Sequence, residues 1–200
     1  VEVYPNCTLF CSQCVETDER QSFWHSESGS ATRLRMFVAD KRKTFVGFNS
    51  NNYDSIMVSA WCQGYDTKTI KHISDTMIVD GGLSYQIKNE YKLTDVLNDH
   101  IDLIEVAPSF VGLKAYGARM NMPMLQDLPY DPHETLSDEQ QSKLELYCQK
   151  DIDTTAELFK RLESALALRL QISKQYGIDL RSKSDCQMAE HGFKKNLNLK

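Results

Sequence analysis

Apolar positions recur at three- and four-residue steps late in the chain. Leu144, Tyr147, Cys148, Asp151, Thr155, Leu158, Phe159, Leu162, Ala165 and Leu166 fall on one side of a helix. Ser137 and Gln140 have capping-box spacing, with acids at 138 and 139, so the helix is expected to start there. One acidic residue interrupts the apolar stripe. Asp151 lies where an ionised carboxylate is costly unless a positive charge meets it. Tyr147 precedes it by four residues, so phenol and carboxyl point the same way.

The rest of the pattern alternates between strands and helices. Val1 and Val3 flank Glu2 as in a strand, and Pro5-Asn6 turns the chain into a second strand ending near Val15. Residues 16–29 read as a polar turn, a short strand at Ser22-Phe23-Trp24 and a Ser/Gly-rich loop. Residues 31–40 read as a helix with Leu34, Phe37 and Val38 on one face. Residues 44–48 form a short buried strand running into Asn49-Ser50-Asn51-Asn52-Tyr53-Asp54. A helix carrying Ile56, Met57, Ala60 and Trp61 follows. Residues 64–100 read as short strand-like pieces and turns, notably at Asp80-Gly81-Gly82. Residues 101–106 are a second good strand, ended by Pro108. Residues 112–122 form a helix with Leu113, Tyr116 and Met120 spaced for burial, and 121–134, with three prolines, a loop. A break at Gly177-Ile178-Asp179 precedes a terminal helix over 182–195. This alternation predicts an α/β domain, a central mixed sheet flanked by helices.

Composition narrows the class. The 200 residues, 41% hydrophobic and 26% charged, suit one globular domain with a sizeable core. No apolar run is long enough to span a membrane, and no signal peptide is visible. A net charge of −5 cannot hold a nucleic acid by overall basicity, so such a partner must be held by local contacts. The six cysteines do not form a disulfide framework, which points to a reducing, intracellular setting. The first residues read as a strand already under way, so the chain is expected to be part of a longer protein.

Cys7, Cys11 and Cys14 have C-x3-C-x2-C spacing, which thiolate-bound iron–sulfur clusters use. With His25 they could instead hold zinc. The segment reads as a strand, with no glycine to wrap a cluster, and packing cysteines are the preferred reading.

Three carboxylates remain: Glu2 on the first strand, Asp54 just past a core strand, and Asp151 on the late helix. Glu2 could be a solvent-facing glutamate. Asp54 could serve the helix start, although Asn51 or Asn52 could cap it equally well. Tyr53 could be a core aromatic, and Asn49 a turn residue. Together, carboxylates from distant segments are what a site for two divalent ions needs, since Mg²⁺ takes hard oxygen ligands. Metal charge would also account for Asp151. Tyr147 would then orient a water.

These residues resemble the DEDD superfamily of 3′–5′ exonucleases, in the subgroup with tyrosine in the third motif. Tyr147-Cys148-Gln149-Lys150-Asp151 matches Y-x3-D. Asn49-Ser50-Asn51-Asn52-Tyr53-Asp54 matches the second motif of family B-like polymerases. Val1-Glu2-Val3 matches the latter part of D-x-E, whose aspartate would fall directly before Val1. The likeness covers residues 1–165 and is nearest to phage-type DNA polymerases with a proofreading domain. It implies an RNase H-like fold over 1–165 and a helical extension over 166–200 leading to a polymerase domain. It further implies two divalent ions, Mg²⁺ or Mn²⁺, on Glu2, Asp54 and Asp151, with Tyr147 as the fourth catalytic residue. Asn49 and Tyr53 would contact the 3′ end of single-stranded DNA. The setting would be cytoplasmic, the host cytoplasm if phage-encoded, with no membrane partner. The family's lysine before the third-motif helix would fall near Gln126, with Lys114 or Lys150 as substitutes. Its short Ser/Thr-Leu DNA-binding motif has no clean counterpart. A standalone exonuclease or ribonuclease, and an inactive module that binds single strands or a partner, are the alternatives.

Overall fold

The computed structural model describes residues 1–109, 111–123 and 127–197. Within them the chain is mixed α/β, with eight helices and two small sheets. β1 (Glu2–Val3), β2 (Thr8–Gln13) and β3 (Arg20–Trp24) form an antiparallel meander, Glu2 opposite Leu9 and Phe10 opposite Phe23. β4 (Phe45–Gly47) pairs in parallel with β5 (His100–Asp102), Gly47 opposite Asp102. The sheet expected as one central unit is therefore divided. The strands that would join its halves are short: β1 has two residues and β4 three. Proline 5 ends extended pairing after β1, having no N–H to donate. After β4, the chain turns sharply at Gly47. A Cβ there would come within 2.3 Å of Ser50 Oγ, which instead bonds His100 Nε2 at 2.8 Å.

The helices are α1 (Ser30–Val38), α2 (Asp54–Cys62), α3 (Thr67–Ile78), α4 (Ser84–Glu90), α5 (Leu113–Arg119), α6 (Asp138–Arg161), α7 (Glu163–Tyr176) and α8 (Asp185–Asn196). From Ser55 to Cys62 every residue of α2 is buried, as expected of a central helix apolar on all sides. The strand-like reading of 64–100 is corrected: that region holds α3 and α4. Asp66 caps α3 by accepting the Thr69 N–H at 2.8 Å, and Ile70 and Ile73 turn one face to the core. The β-branched residues of this segment imitate a strand in composition, but packing against α2 decides for helix.

The capping box at the start of α6 is present: Gln140 N–H donates to Ser137 Oγ at 3.3 Å, and Ser137 N–H to Gln140 Oε1 at 2.8 Å. The apolar stripe does not stay on one helix. It passes from α6 through Leu162 into α7, so the boundary drawn at 165/166 lies within α7. Buried Arg169 ties α7 to α8 through Asp185 at 2.7 Å and the Lys183 carbonyl at 2.9 Å. Among the described residues no helix is long and apolar enough to cross a membrane.

Three apolar clusters hold these parts together. The first surrounds α2, with Val3, Leu34, Trp61 and Ile73. The second joins β5 to the second half of α6, with Leu103, Tyr116, Leu158 and Leu166. The third joins β2 to the first half of α6, with Leu9, Leu144, Tyr147 and Cys148. Cys7 is buried in the third cluster and Cys11 packs against it, its Sγ 3.4 Å from Ser22 Oγ. The ring nitrogens of His25, the candidate zinc partner, meet the Tyr65 carbonyl at 2.9 Å and the Thr67 hydroxyl at 3.0 Å.

Candidate active site

The four residues singled out from the sequence as catalytic lie close enough to feel one another: Asp54 and Asp151 act on Glu2, and Asp151 and Glu2 on Tyr147. Glu2 arrives on β1, Asp54 is the first residue of α2, and Tyr147 and Asp151 lie one turn apart on α6. Each element has a local reason to bring its residue to this place. The chain must leave β1 at Pro5, α2 starts where the tight loop after Gly47 ends, and α6 is fixed in rotation by Leu144, Tyr147 and Cys148 in the third cluster. No side-chain cap closes the N-terminus of α2, so neither Asn51 nor Asn52 serves as one.

The charges at this place are strongly coupled. The Val1 amino group lies 2.7 Å from Asp54 Oδ1. The Glu2 carboxyl is pushed up to about 7. Burial is the main cause; the Val1 ammonium opposes it, while the charges of Asp151 and Asp54 reinforce it. Burial also raises Asp151, against the Tyr147 hydrogen bond, Lys114 and the Val1 ammonium. Tyr147 lies above the ordinary phenol range, first by burial, then by Asp151 and Glu2. Its O–H therefore stays protonated, with the Asp151 carboxyl as its neighbour one turn on.

Lys114, on α5, supplies positive charge to the same place. Its Nζ lies 6.0 Å from the centre of the Tyr147 ring and 3.0 Å from Asp127 Oδ1. With Lys150 it is one of the two lysines expected to substitute for the lysine that the exonucleases resembled in sequence would place near Gln126. Gln126, the aligned position, lies outside the described residues.

The loop that presents Asp54 is held by a residue the sequence pattern did not single out. Asp102, at the end of β5, is 1% exposed. Its Oδ1 accepts the N–H of Asn49 at 2.8 Å and of Ile104 at 3.1 Å; its Oδ2 accepts the N–H of Asn51 at 2.8 Å. Its own N–H donates to Ser182 Oγ at 2.9 Å. The one available signal was an aspartate inside the apolar run Ile101-Asp102-Leu103-Ile104, since a buried carboxylate needs several donors.

Of the two expected substrate contacts, Asn49 sits at φ 55°, a left-handed conformation that asparagine tolerates better than most residues. Its Oδ1 accepts from Asn52 Nδ2 at 3.1 Å. Tyr53 packs against the first cluster, and its hydroxyl meets Ser74 Oγ at 2.7 Å. Burial pushes its phenol up to about 12. Asn49, Tyr53 and Asp54 line one open groove of about 470 Å³.

Among the described residues, no group of three or more His, Cys, Asp or Glu side chains is assembled as a metal centre. The chain matches no family model, no curated protein and no solved structure.

Proposed function

We propose that this chain is the 3′–5′ exonuclease module of a DNA polymerase, with an RNase H-like architecture. It would hydrolyse the terminal phosphodiester of single-stranded DNA and release 5′-mononucleotides. The observation that carries this reading is the convergence of Glu2, Asp54, Tyr147 and Asp151 from three separate elements, in the order and on the elements the resemblance requires. The chain is mixed α/β, as such a module would be, with its antiparallel β1–β2–β3 sheet separate from the parallel β4–β5 pair.

The donor set suits divalent cations: three carboxylates offer only hard oxygens. Glu2 feels both other carboxylates as unfavourable neighbours, which a cation would relieve. Glu2, Asp54 and Asp151 would hold two ions, Mg²⁺ or Mn²⁺. When bound, the ions supply acidity to a water and stabilise charge on the phosphodiester oxygens. Tyr147, protonated and fixed by Asp151, orients a water by its O–H rather than taking a proton. Lys114 adds charge that favours a phosphate nearby. Asn49 and Tyr53 contact the single strand at its 3′ end. An attached polymerase and a cytoplasmic setting belong to the same proposal.

The test is trimming of a 3′-labelled single strand by the intact protein with Mg²⁺. Asp54→Ala and Asp151→Ala should each abolish it. Unchanged degradation in either variant would sink the assignment.

A further inference from the structure

The groove beside Asp54 has a second wall. Ile78, Leu83 and Tyr85, from the end of α3 and the start of α4, line it opposite Phe48 and Tyr53. These three side chains are 67%, 52% and 60% exposed. Single exposed apolar residues are ordinary, but three around one concavity mark a surface that takes something. The wall is held in place by a tight turn. Gly82 N–H donates to the Thr76 carbonyl at 2.9 Å, and a Cβ on Gly82 would meet that same oxygen at 2.9 Å.

The lining chemistry selects the occupant. Among the described residues that line the groove, Asp54 is the one charged side chain, and its charge does not attract a phosphate. Aromatic and aliphatic faces suit a flat, uncharged ring, and the amides of Asn49 and Asn52 suit its polar edge. Asp54 also lines the groove, so a strand whose terminal linkage lay at that carboxylate would have an adjacent base beside it.

We propose that the wall of Ile78, Leu83 and Tyr85 is a binding site for one unpaired base of the single strand, with Tyr85 as its stacking residue. This rests on the exonuclease reading for the identity of the strand, but its binding step needs no hydrolysis.

The test is fluorescence titration of the intact protein with a single-stranded oligonucleotide carrying a fluorescent adenine analogue near its 3′ end. Chelator is present, so nothing is cut. Tyr85→Ala should weaken binding about ten-fold or more, the range for loss of one base–aromatic stack. Tyr85→Phe should bind within about two-fold of the parent, because the ring is kept. A strand lacking that base should bind weakly and equally to parent and Tyr85→Ala. Equal affinity of parent and Tyr85→Ala for the complete strand overturns the proposal, as does an equal Tyr85 effect on strands with and without the base. Capture of an apolar peptide with no strand binding overturns it as well. Cleavage that depends on Asp54 but binding indifferent to Tyr85 would leave the nuclease reading standing and this one fallen. Binding that depends on Tyr85 without any cleavage would do the reverse.

Discussion

The carboxylate of Asp102 accepts the backbone N–H groups of Asn49 and Asn51, each at 2.8 Å, and thereby fixes the loop that delivers Asp54. Asp102→Ala removes the acceptor from these donors and from that of Ile104, in a loop that water can partly reach. The expected loss is about 1–3 kcal/mol of folding stability, the range for hydrogen bonds lost at a buried acceptor. Asp102→Asn keeps one acceptor and should fall between parent and alanine variant. Urea unfolding measures both, and a loss below about 1 kcal/mol for Asp102→Ala would show that the loop is held by something else.

Tyr147→Phe separates the phenol from the carboxylates. Its ring is largely buried in the third cluster, so phenylalanine preserves the packing. Under the proposed function, loss of the oriented O–H should slow hydrolysis on the order of a hundred-fold, as for removal of one aimed donor. Metal affinity measured by calorimetry should hardly change. A collapse of metal binding instead would assign the phenol to holding the site together rather than to orienting water.

His100 gives a pH dependence of definite sign. Burial lowers its pKa below 6.5, against the pull of Asp102, Asp54, Asp95 and Asp99. The unfolded chain therefore takes up a proton at higher pH than the folded one. The stability His100 contributes is complete above about pH 6.5 and is lost as pH falls through the lower folded midpoint. His100→Gln should gain stability relative to the parent between about pH 7 and 5. Resonance of the imidazole in the folded protein should titrate below 6.5, and a midpoint above that would reverse the sign.

Much of the candidate site is legible along the chain because its signals are local. The stripe through Tyr147 and Asp151, the capping box at Ser137 and the Asn49–Asp54 run each lie within one element or one loop. Alternation about Glu2 is enough to place it on a strand, though not to say what faces it. What is not legible is set by partners far away. Asp102 acts through N–H groups some fifty residues earlier, and no spacing encodes that. α3 escapes notice because Thr69, Ile70, Ile73 and Thr76 suit a strand by composition, while burial of Ile70 and Ile73 beside α2 makes it a helix. The division of the sheet depends on how many residues of β1 and β4 find partners, a property of pairing rather than of either segment.

α6 carries Tyr147 in one apolar cluster and Leu158 in another, with Asp151 between them. A residue added or removed between Tyr147 and Leu158 would turn everything beyond it by about 100°. One anchor would then swing to solvent, or the carboxylate would leave its neighbours. Side chains on the outer face of this segment can change at smaller cost than its length. The spacing of α6 is thus a fixed ruler between two anchors, and evolutionary insertions have room only in the loop before Asp138.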